Sequence, residues 1–446
     1  MQNAESPTMP AEPSRGSNRS ALMIVFLVVF IDLLGFGIIL PLLPRIAKSD
    51  LAHLIAATEP KTIGAVTGLL MSSFSLMQFL FAPAWGRLSD RIGRRPILLI
   101  GLFGSVVFYG LFGYAASVRP DDANSALFAI VLFFVARIGA GISGATISTA
   151  QAVIADSTPP EKRKHGMALI GAAFGIGFTF GPLIGFGCLW LGEDFPFVGL
   201  GSIGYTASGL SLIALLLGLR LLPETRVPGA ESVVRRHLLD PSGIRFALAN
   251  PAIGPIILIF FLASLGFGSF EVTLSIFLED TFRFSERYSF LFFAYVGFVL
   301  MLTQGFLYRR LASRVSEVVF MGMGIFFMAI GVGLQGWISH SVANGTTPDT
   351  MLPHLFVALT AAVVGFAFLT PSAQALVSRR TPDDRQGEIL GVNQSASALA
   401  RILGPVFGLV LYQATNDHIL PYIGGAILLL LMLPLLPWIR RGGTAS

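Results

Sequence analysis

The sequence predicts an all-α polytopic membrane protein, with twelve transmembrane helices in two pseudo-equivalent six-helix bundles. Three observations predict it. Apolar residues make up 54% of the 446 positions and charged residues only 12%, about half the charged share of a soluble domain. The apolar residues gather into runs of about 20, the length a helix needs to cross the hydrocarbon core. A shift of 223 residues lays "TAQAVIADSTPPEKR" (149–163) over "SAQALVSRRTPDDRQ" (372–386), and "GPLIG" (181–185) over "GPVFG" (404–408), without a gap.

Taken in order, the first twenty residues are polar and rich in Ser, Pro and Asn, and read as a disordered tail (1–20). Span 1 covers 21–44. It is long enough to cross a bilayer and lacks a cleavage site, so it does not read as a signal peptide. Span 2 (63–84) runs up to a charged stretch, and span 3 (96–117) begins just beyond it. Spans 4 (126–154) and 5 (165–190) are glycine-rich, and span 6 (200–219) closes a first bundle over 21–219. The longest connector, 220–250, contains "ESVVRRHLLDPSGIRFALAN", which reads as a linker with a short amphipathic helix at the membrane surface. Spans 7 (252–278), 8 (289–308), 9 (317–338), 10 (353–377), 11 (388–413) and 12 (419–438) form a second bundle over 251–439, and 440–446 is a tail.

Charge sets the orientation, because short cytoplasmic loops accumulate Lys and Arg. Of the 30 Lys and Arg, Arg45, Lys48, Lys61, Arg119, Arg283 and Arg287 fall in one set of connectors. Arg137 and Arg401 fall within spans, and the other 22 lie on the side of the two tails. That side is predicted to be cytoplasmic, with both termini there and the chain in a cell (inner or plasma) membrane. The tryptophans agree. Trp85 and Trp438 fall at inner helix ends, and Trp190 and Trp337 at outer ones, as interfacial anchors do.

Composition also excludes classes. The net charge of +5 belongs to basic loops, so no nucleic-acid partner is expected. A lone cysteine, Cys188, argues against a disulfide, a redox site or a thiolate metal site. His53, His165, His237, His340, His354 and His418 are scattered over loops and helix ends, so no metal and no cofactor are expected. There is no nucleotide-binding loop, which removes direct ATP coupling, and no nucleophile–base set that would suggest an enzyme.

The connector between spans 2 and 3 reads "GRLSDRIGRR" (86–95). Basic residues alone would set topology, but they do not account for Asp90 or for Gly86 and Gly93. Gly93 permits a tight turn, Gly86 lets span 2 approach a neighbour in the other half, and Asp90 can cap a positive helix N-terminus. The corresponding stretch of the second half, "GFLYRRLASR" (305–314), has Arg309 where the acid would stand. Span 1 carries "DLLGFGIILPLLP" (32–44), with Asp32 midway along the apolar run; an acid there is functional by default, the alternative being a structural acid bonded to a neighbouring helix. Arg137, in "RIGAGISG" on span 4, is opposite in charge at similar depth, so an Asp32–Arg137 pair is the economical arrangement. Pairing would lower the Asp32 pKa while burial raises it, which leaves it sensitive to water or substrate. On span 5, Gly177, Gly181 and Gly185 recur every four residues as one smooth face, and Pro182 frees a backbone carbonyl. Glu271 on span 7 is the second buried acid, with two open roles: facing a central cavity, or pairing with Arg401 on span 11. Gly35, Phe267 and Phe270 join Arg401 as candidate cavity residues.

On Gly86, Asp90, Arg91, Gly93, Arg94 and Arg95 the chain resembles the major facilitator superfamily, whose signature in this connector is Gly-x-x-x-Asp-Arg-x-Gly-Arg-Arg. The resemblance implies that Asp90 latches onto span 11, near Gly387, and that spans 1, 4, 7 and 10 line a central cavity. The Gly-Pro-x-x-Gly of span 5 resembles the antiporter motif of drug and proton exporters. Over essentially the whole chain the likeness is to tetracycline exporters and related drug:proton antiporters. "FEVTLSIFLEDTFRFS" (270–285) and "FFAYVGFVLMLTQGFLYRR" (292–310) resemble the tetracycline-transporter-like solute carriers, whose substrates include organic anions. Span 3 lacks the acid and span 8 the histidine of tetracycline exporters, which argues against tetracycline itself. The implied function is secondary active export of small amphipathic organic molecules against protons, by a monomer in the lipid bilayer. Proton coupling would fall to Asp32, Arg137 and Glu271. An organic-anion uniporter or exchanger, with Arg137 and Arg401 holding a carboxylate, and a non-transporting membrane sensor are the alternatives.

Overall fold

The computed structural model describes residues 15–54, 59–157, 163–194, 199–225, 245–247, 249–381 and 386–442, and the regular structure among them is helical. The segments 1–14, 226–244 and 443–446, within the expected tails and linker, lie outside the described residues. Eleven spans are long and apolar enough to cross a membrane, and span 5 adds the shorter apolar stretch Gly175–Leu191.

Several boundaries move for local reasons. Span 1 is the helix Arg15–Ile39, so residues 15–20 are helical rather than tail; Pro13 is the last proline before them. After it Pro41 lies in a turn and Pro44 opens a separate short helix, Leu43–Ala52, because proline ends one helix and suits the first turn of the next. Span 2 is Pro60–Ile92, 33 residues. It absorbs most of the charged signature, and the connector to span 3 (Arg94–Ser117) shrinks to Gly93 alone. Span 4 is two helices, Ala123–Ser143 and Ile147–Ser157, the first opened by an Asp122–Ser125 capping box. Span 5 is Arg163–Asp194 and span 6 is Gly201–Leu221. Spans 7, 9, 10 and 11 are Gly254–Phe282, Glu317–Ala343, Pro348–Arg380 and Gln386–Tyr412. Span 8, Glu286–Leu302, continues through a π-helical turn, Thr303–Tyr308. Span 12 is interrupted between Leu420–Leu430 and Leu435–Gly442 by Pro434, which lacks the N–H that a continuous helix needs.

Glycines decide which helices touch. A Cβ on Gly181 would stand 2.9 Å from the carbonyl oxygen of Leu34, and one on Gly177 would stand 3.0 Å from the Leu33 Cβ, so span 5 lies backbone-to-backbone on span 1. The second half repeats this seam, with Gly404 of span 11 against Leu265 (3.0 Å) and Gly268 of span 7. The tetrapeptide Leu-Gly-Phe-Gly occurs at both contacts, at 34–37 and at 265–268. In that register Asp32 corresponds to Ala263 and Glu271 to Leu40, so each half keeps one acid at a site where the other half has none. Gly185 departs from the expected smooth face. Its open side meets the ring of Phe290 on span 8, because residues four apart on a long helix drift round its axis.

Two further seams join the halves. Span 2 meets span 11, where a Cβ on Gly64 would stand 2.6 Å from Leu409 O and one on Gly68 would stand 2.6 Å from Val406 Cα. Span 8 meets span 5, where Gly297 abuts the backbone of Phe178 and Thr179.

Overpacking such a seam forces backbone apart. Gly68→Val is expected to destabilise the protein by about 1–3 kcal/mol and to lower transport. Gly209, with no atom within 4 Å of a built Cβ, should accept Ala with an unchanged or higher unfolding temperature. Thermal unfolding in detergent micelles, with flux in parallel, compares the two.

Candidate functional site

Several signature residues are tied to the first bundle and to the start of the linker. Gly93 has φ 109 and ψ 157, a backbone region open in practice only to glycine. The turn it makes delivers the N-terminus of span 3 to Glu224, whose carboxylate accepts from the Arg94 and Arg95 backbone N–H groups at 2.9 and 3.1 Å. An anion at a helix N-terminus meets both unpaired donors and the positive end of the dipole. Arg95 donates from its side chain to Leu219 O at 2.6 Å. Arg94 donates to Ser89 Oγ at 2.8 Å, to Asp156 Oδ2 at 3.2 Å and to Asp90, while Arg91 is exposed. The acid that caps a helix start is therefore Glu224, at span 3. Asp90 is turned to Arg94, four residues along. Gly86 faces Ser148 of span 4, at 3.5 Å from a built Cβ, and not the other half. The second half carries a reversed copy of one link. The 223-residue shift takes Arg94 to Glu317 and Asp156 to Arg379, and these two also form an ion pair, with both signs exchanged.

Inside the bilayer the charges fall into one set per half. Arg137 is 2% exposed. It donates to Met71 O at 3.2 Å, and its guanidinium lies 4.6 Å from the Phe74 ring centroid and 5.7 Å from that of Phe36. Such faces attract a cation, and Tyr109 is within electrostatic reach. The Asp32 side chain lies outside the described residues. In the second half Glu271 is half-buried and feels the charge of Arg401. Arg401, midway along span 11, is exposed and donates to Ser397 Oγ at 3.0 Å. Of the expected cavity residues, Gly35 is buried against the Tyr109 ring. Phe267 is buried too, stacked on Phe366 at 3.9 Å and adjoining the buried Phe270 at 5.5 Å. In this structure the span 1–3 and 7–10 contacts cover their faces.

The end away from the signature is shut by ion pairs between the halves. Arg45 is buried and reaches Glu279 at 3.1 Å, Ser289 Oγ at 3.0 Å and Phe284 O at 2.9 Å. Lys48 donates to both oxygens of Asp280, at 2.8 and 3.0 Å. Deeper in, Ser275 donates to Pro41 O, and Ser72 donates to Ile402 O at the span 2–11 seam.

The major facilitator superfamily profile matches residues 25–405 and 305–445. The chain belongs to the major facilitator superfamily. It is 30% identical over 433 residues to the class C tetracycline resistance protein of Escherichia coli, covering 95% of this chain and 98% of that one. It is 28% identical over 462 residues to major facilitator superfamily domain-containing protein 10 of Mus musculus, covering 95% and 94%. The crystal structure of the human organic anion transporter MFSD10 (TETRAN) superposes with a TM-score of 0.63 at 27% identity, covering 94% of this chain and 99% of that one. This superfamily member is thus a multi-pass membrane transporter of small molecules.

For a facilitator, the sequence reading missed the links that shut one end. Arg45 and Lys48 counted only as exceptions to the basic-loop rule. The signal lay in complementarity: two cations after span 1, and Glu279, Asp280 and Glu286 after span 7. Asp50, on the same short helix, is buried, and burial pushes its pKa up to about 6 against a small opposing effect of His53. A carboxyl raised on folding favours the folded state only below that pH, and the advantage is lost as pH rises through about 6. Asp50→Asn should therefore stabilise the facilitator at pH 7.5, by at most about 3 kcal/mol, and leave it unchanged at about pH 3, below the ordinary value of 3.8. Unfolding temperatures at the two pH values measure the difference.

Proposed function

We propose that this facilitator exports small amphipathic organic molecules in exchange for protons, by rocking the bundles 21–219 and 251–439 about the linker 220–250. The signature face is cytoplasmic, with both termini there, in a cell membrane, and the working unit is a monomer. The observation that carries this reading is the intramembrane acid Glu271 within electrostatic reach of Arg401, since an acid beside a base there can change charge when substrate or water arrives. The ion pairs shutting the opposite end fit the half-cycle open to the cytoplasm.

Asp32 carries the proton in this reading, and Arg137 is its cation. The support is sequence position: Asp32 stands midway along the apolar run of span 1, opposite in charge to Arg137 at similar depth. Glu271 sets the preference between cationic and anionic substrates. When the cytoplasmic face closes, Asp90 leaves Arg94 for the N-terminus of span 11. A second reading, exchange or uniport of organic anions, is favoured by the exposure of Arg401 and by the human organic anion transporter matched over nearly the whole chain.

Sealed vesicles with an imposed proton gradient separate these readings, using fluorescent organic cations and anions. Asp32→Asn is expected to keep exchange and lose proton-driven accumulation. Glu271→Gln should keep coupling and shift charge preference. Accumulation that survives Asp32→Asn but not Glu271→Gln reverses the assignment. Indifference to both favours the anion reading, and no flux of any probe favours a sensor. Asp90→Lys should cut flux strongly while substrate binding persists; normal flux would leave the signature as a topology signal only.

A further inference from the structure

The Lys48–Asp280 lock contains a histidine that the transport reading leaves unused. His418, in the connector between spans 11 and 12, has φ 52, a left-handed backbone uncommon outside glycine. It is held there by stacking on Tyr412, with ring centroids 4.2 Å apart and planes at 1°, and by Nδ1 at 2.7 Å from Tyr412 O. A carbonyl oxygen only accepts, so the neutral ring carries its hydrogen on Nδ1. Its bare Nε2 then faces Asp280 Oδ2 at 3.7 Å. That same oxygen takes Lys48 Nζ at 3.0 Å and the Tyr412 hydroxyl at 3.3 Å.

We propose that His418 is a proton-binding site that releases this lock, its protonated ring taking Asp280 from Lys48. The second proton enters at Nε2, beside the carboxylate. With Lys48 docked on both oxygens, at 2.8 and 3.0 Å, two cations then crowd one carboxylate and meet at Oδ2. With Lys48 withdrawn, the imidazolium is the sole cationic partner of Asp280. The ring therefore binds its proton more tightly when this end is open, and by reciprocity protons favour opening. Histidine changes charge between about pH 5 and 8.

The remaining charges around the ring do not reproduce this competition. Glu279 and Glu286 lie on Arg45, at 3.1 and 4.0 Å. Asp417 is paired with His340 at 3.0 Å, which holds its carboxyl below the usual range. Tyr412 and Tyr422 are neutral phenols. Asp50, on the Lys48 helix, also changes charge near pH 6, with His53 at that helix's end, and the His418→Asn arm separates their contribution.

The proposal does not depend on which acid couples transport, and no substrate is needed to test it. Spin labels at Ser49→Cys and Ala343→Cys, both exposed, are placed in the full chain with Cys188→Ser, in lipid nanodiscs. Their distance distribution is followed by double electron–electron resonance from pH 8 to pH 5. The ratio of the long-distance to the short-distance population is expected to rise about threefold to tenfold on acidification. His418→Asn, which tolerates the left-handed backbone, should abolish the rise and keep the pH 8 distribution. Lys48→Gln and the permanently charged His418→Lys should each show the long-distance population already at pH 8. A wild-type distribution indifferent to pH overturns the proposal, as does an undiminished acid response in His418→Asn or a short distribution in His418→Lys at pH 8.

Discussion

Helices immersed in hydrocarbon gain nothing by hiding apolar side chains from lipid, so they are held by close backbone packing and by the few polar links they can complete. This constraint governs the protein. Gly177 and Gly181 on Leu33, Leu34 and Gly37 fix the first half, and Gly404 on Leu265 and Gly268 fixes the second. Gly64, Gly68 and Gly297 then bring the halves to backbone distance. These seams are smooth, and a smooth seam allows one bundle to tilt on the other without tearing an interlocked core. Polar links at the ends are left to decide which tilt is held.

The two ends meet that demand differently. At the signature end, Glu224 of the linker caps span 3 through the turn at Gly93, and Arg94 gathers Ser89, Asp90 and Asp156. At the other end charge crosses between halves, Arg45 to Glu279 and Lys48 to Asp280. Arg45 is buried with three partners, and a buried charge stripped of partners is costly. The exposed signature pairs are cheap to rearrange by comparison. A transporter needs both kinds, because an end that must open again has to hold by interactions that water can replace.

Duplication built the frame and divergence gave it chemistry. The Leu-Gly-Phe-Gly contact, the Gly-Pro-x-x-Gly segment and the rim pairs recur in both halves. Asp32 and Glu271 do not recur, nor does the sign of the rim pair, which is Arg94–Asp156 in one half and Glu317–Arg379 in the other. Two equal acids at equivalent depth would offer the same proton affinity to both halves. Unequal ones permit distinct tasks.

The membrane class, the spans and the superfamily were legible in the sequence, because hydrocarbon thickness fixes run length and the charged signature stands out in an apolar chain; the 223-residue register is legible there too. The sequence also exposed Asp90, Gly93, Arg137 and Glu271, since charge in an apolar run and glycine beside charge are rare enough to see. Only the tertiary structure decided partners. Nothing local distinguishes Glu224 from any other acid in a basic loop, and Arg45 and Glu279 stand 234 residues apart. Gly35, Phe267 and Phe270 looked like cavity lining because helical periodicity gives a face but not the neighbour that covers it. Tyr109 and Phe366 cover those faces, and which helix lies against which is settled by packing across the whole bundle.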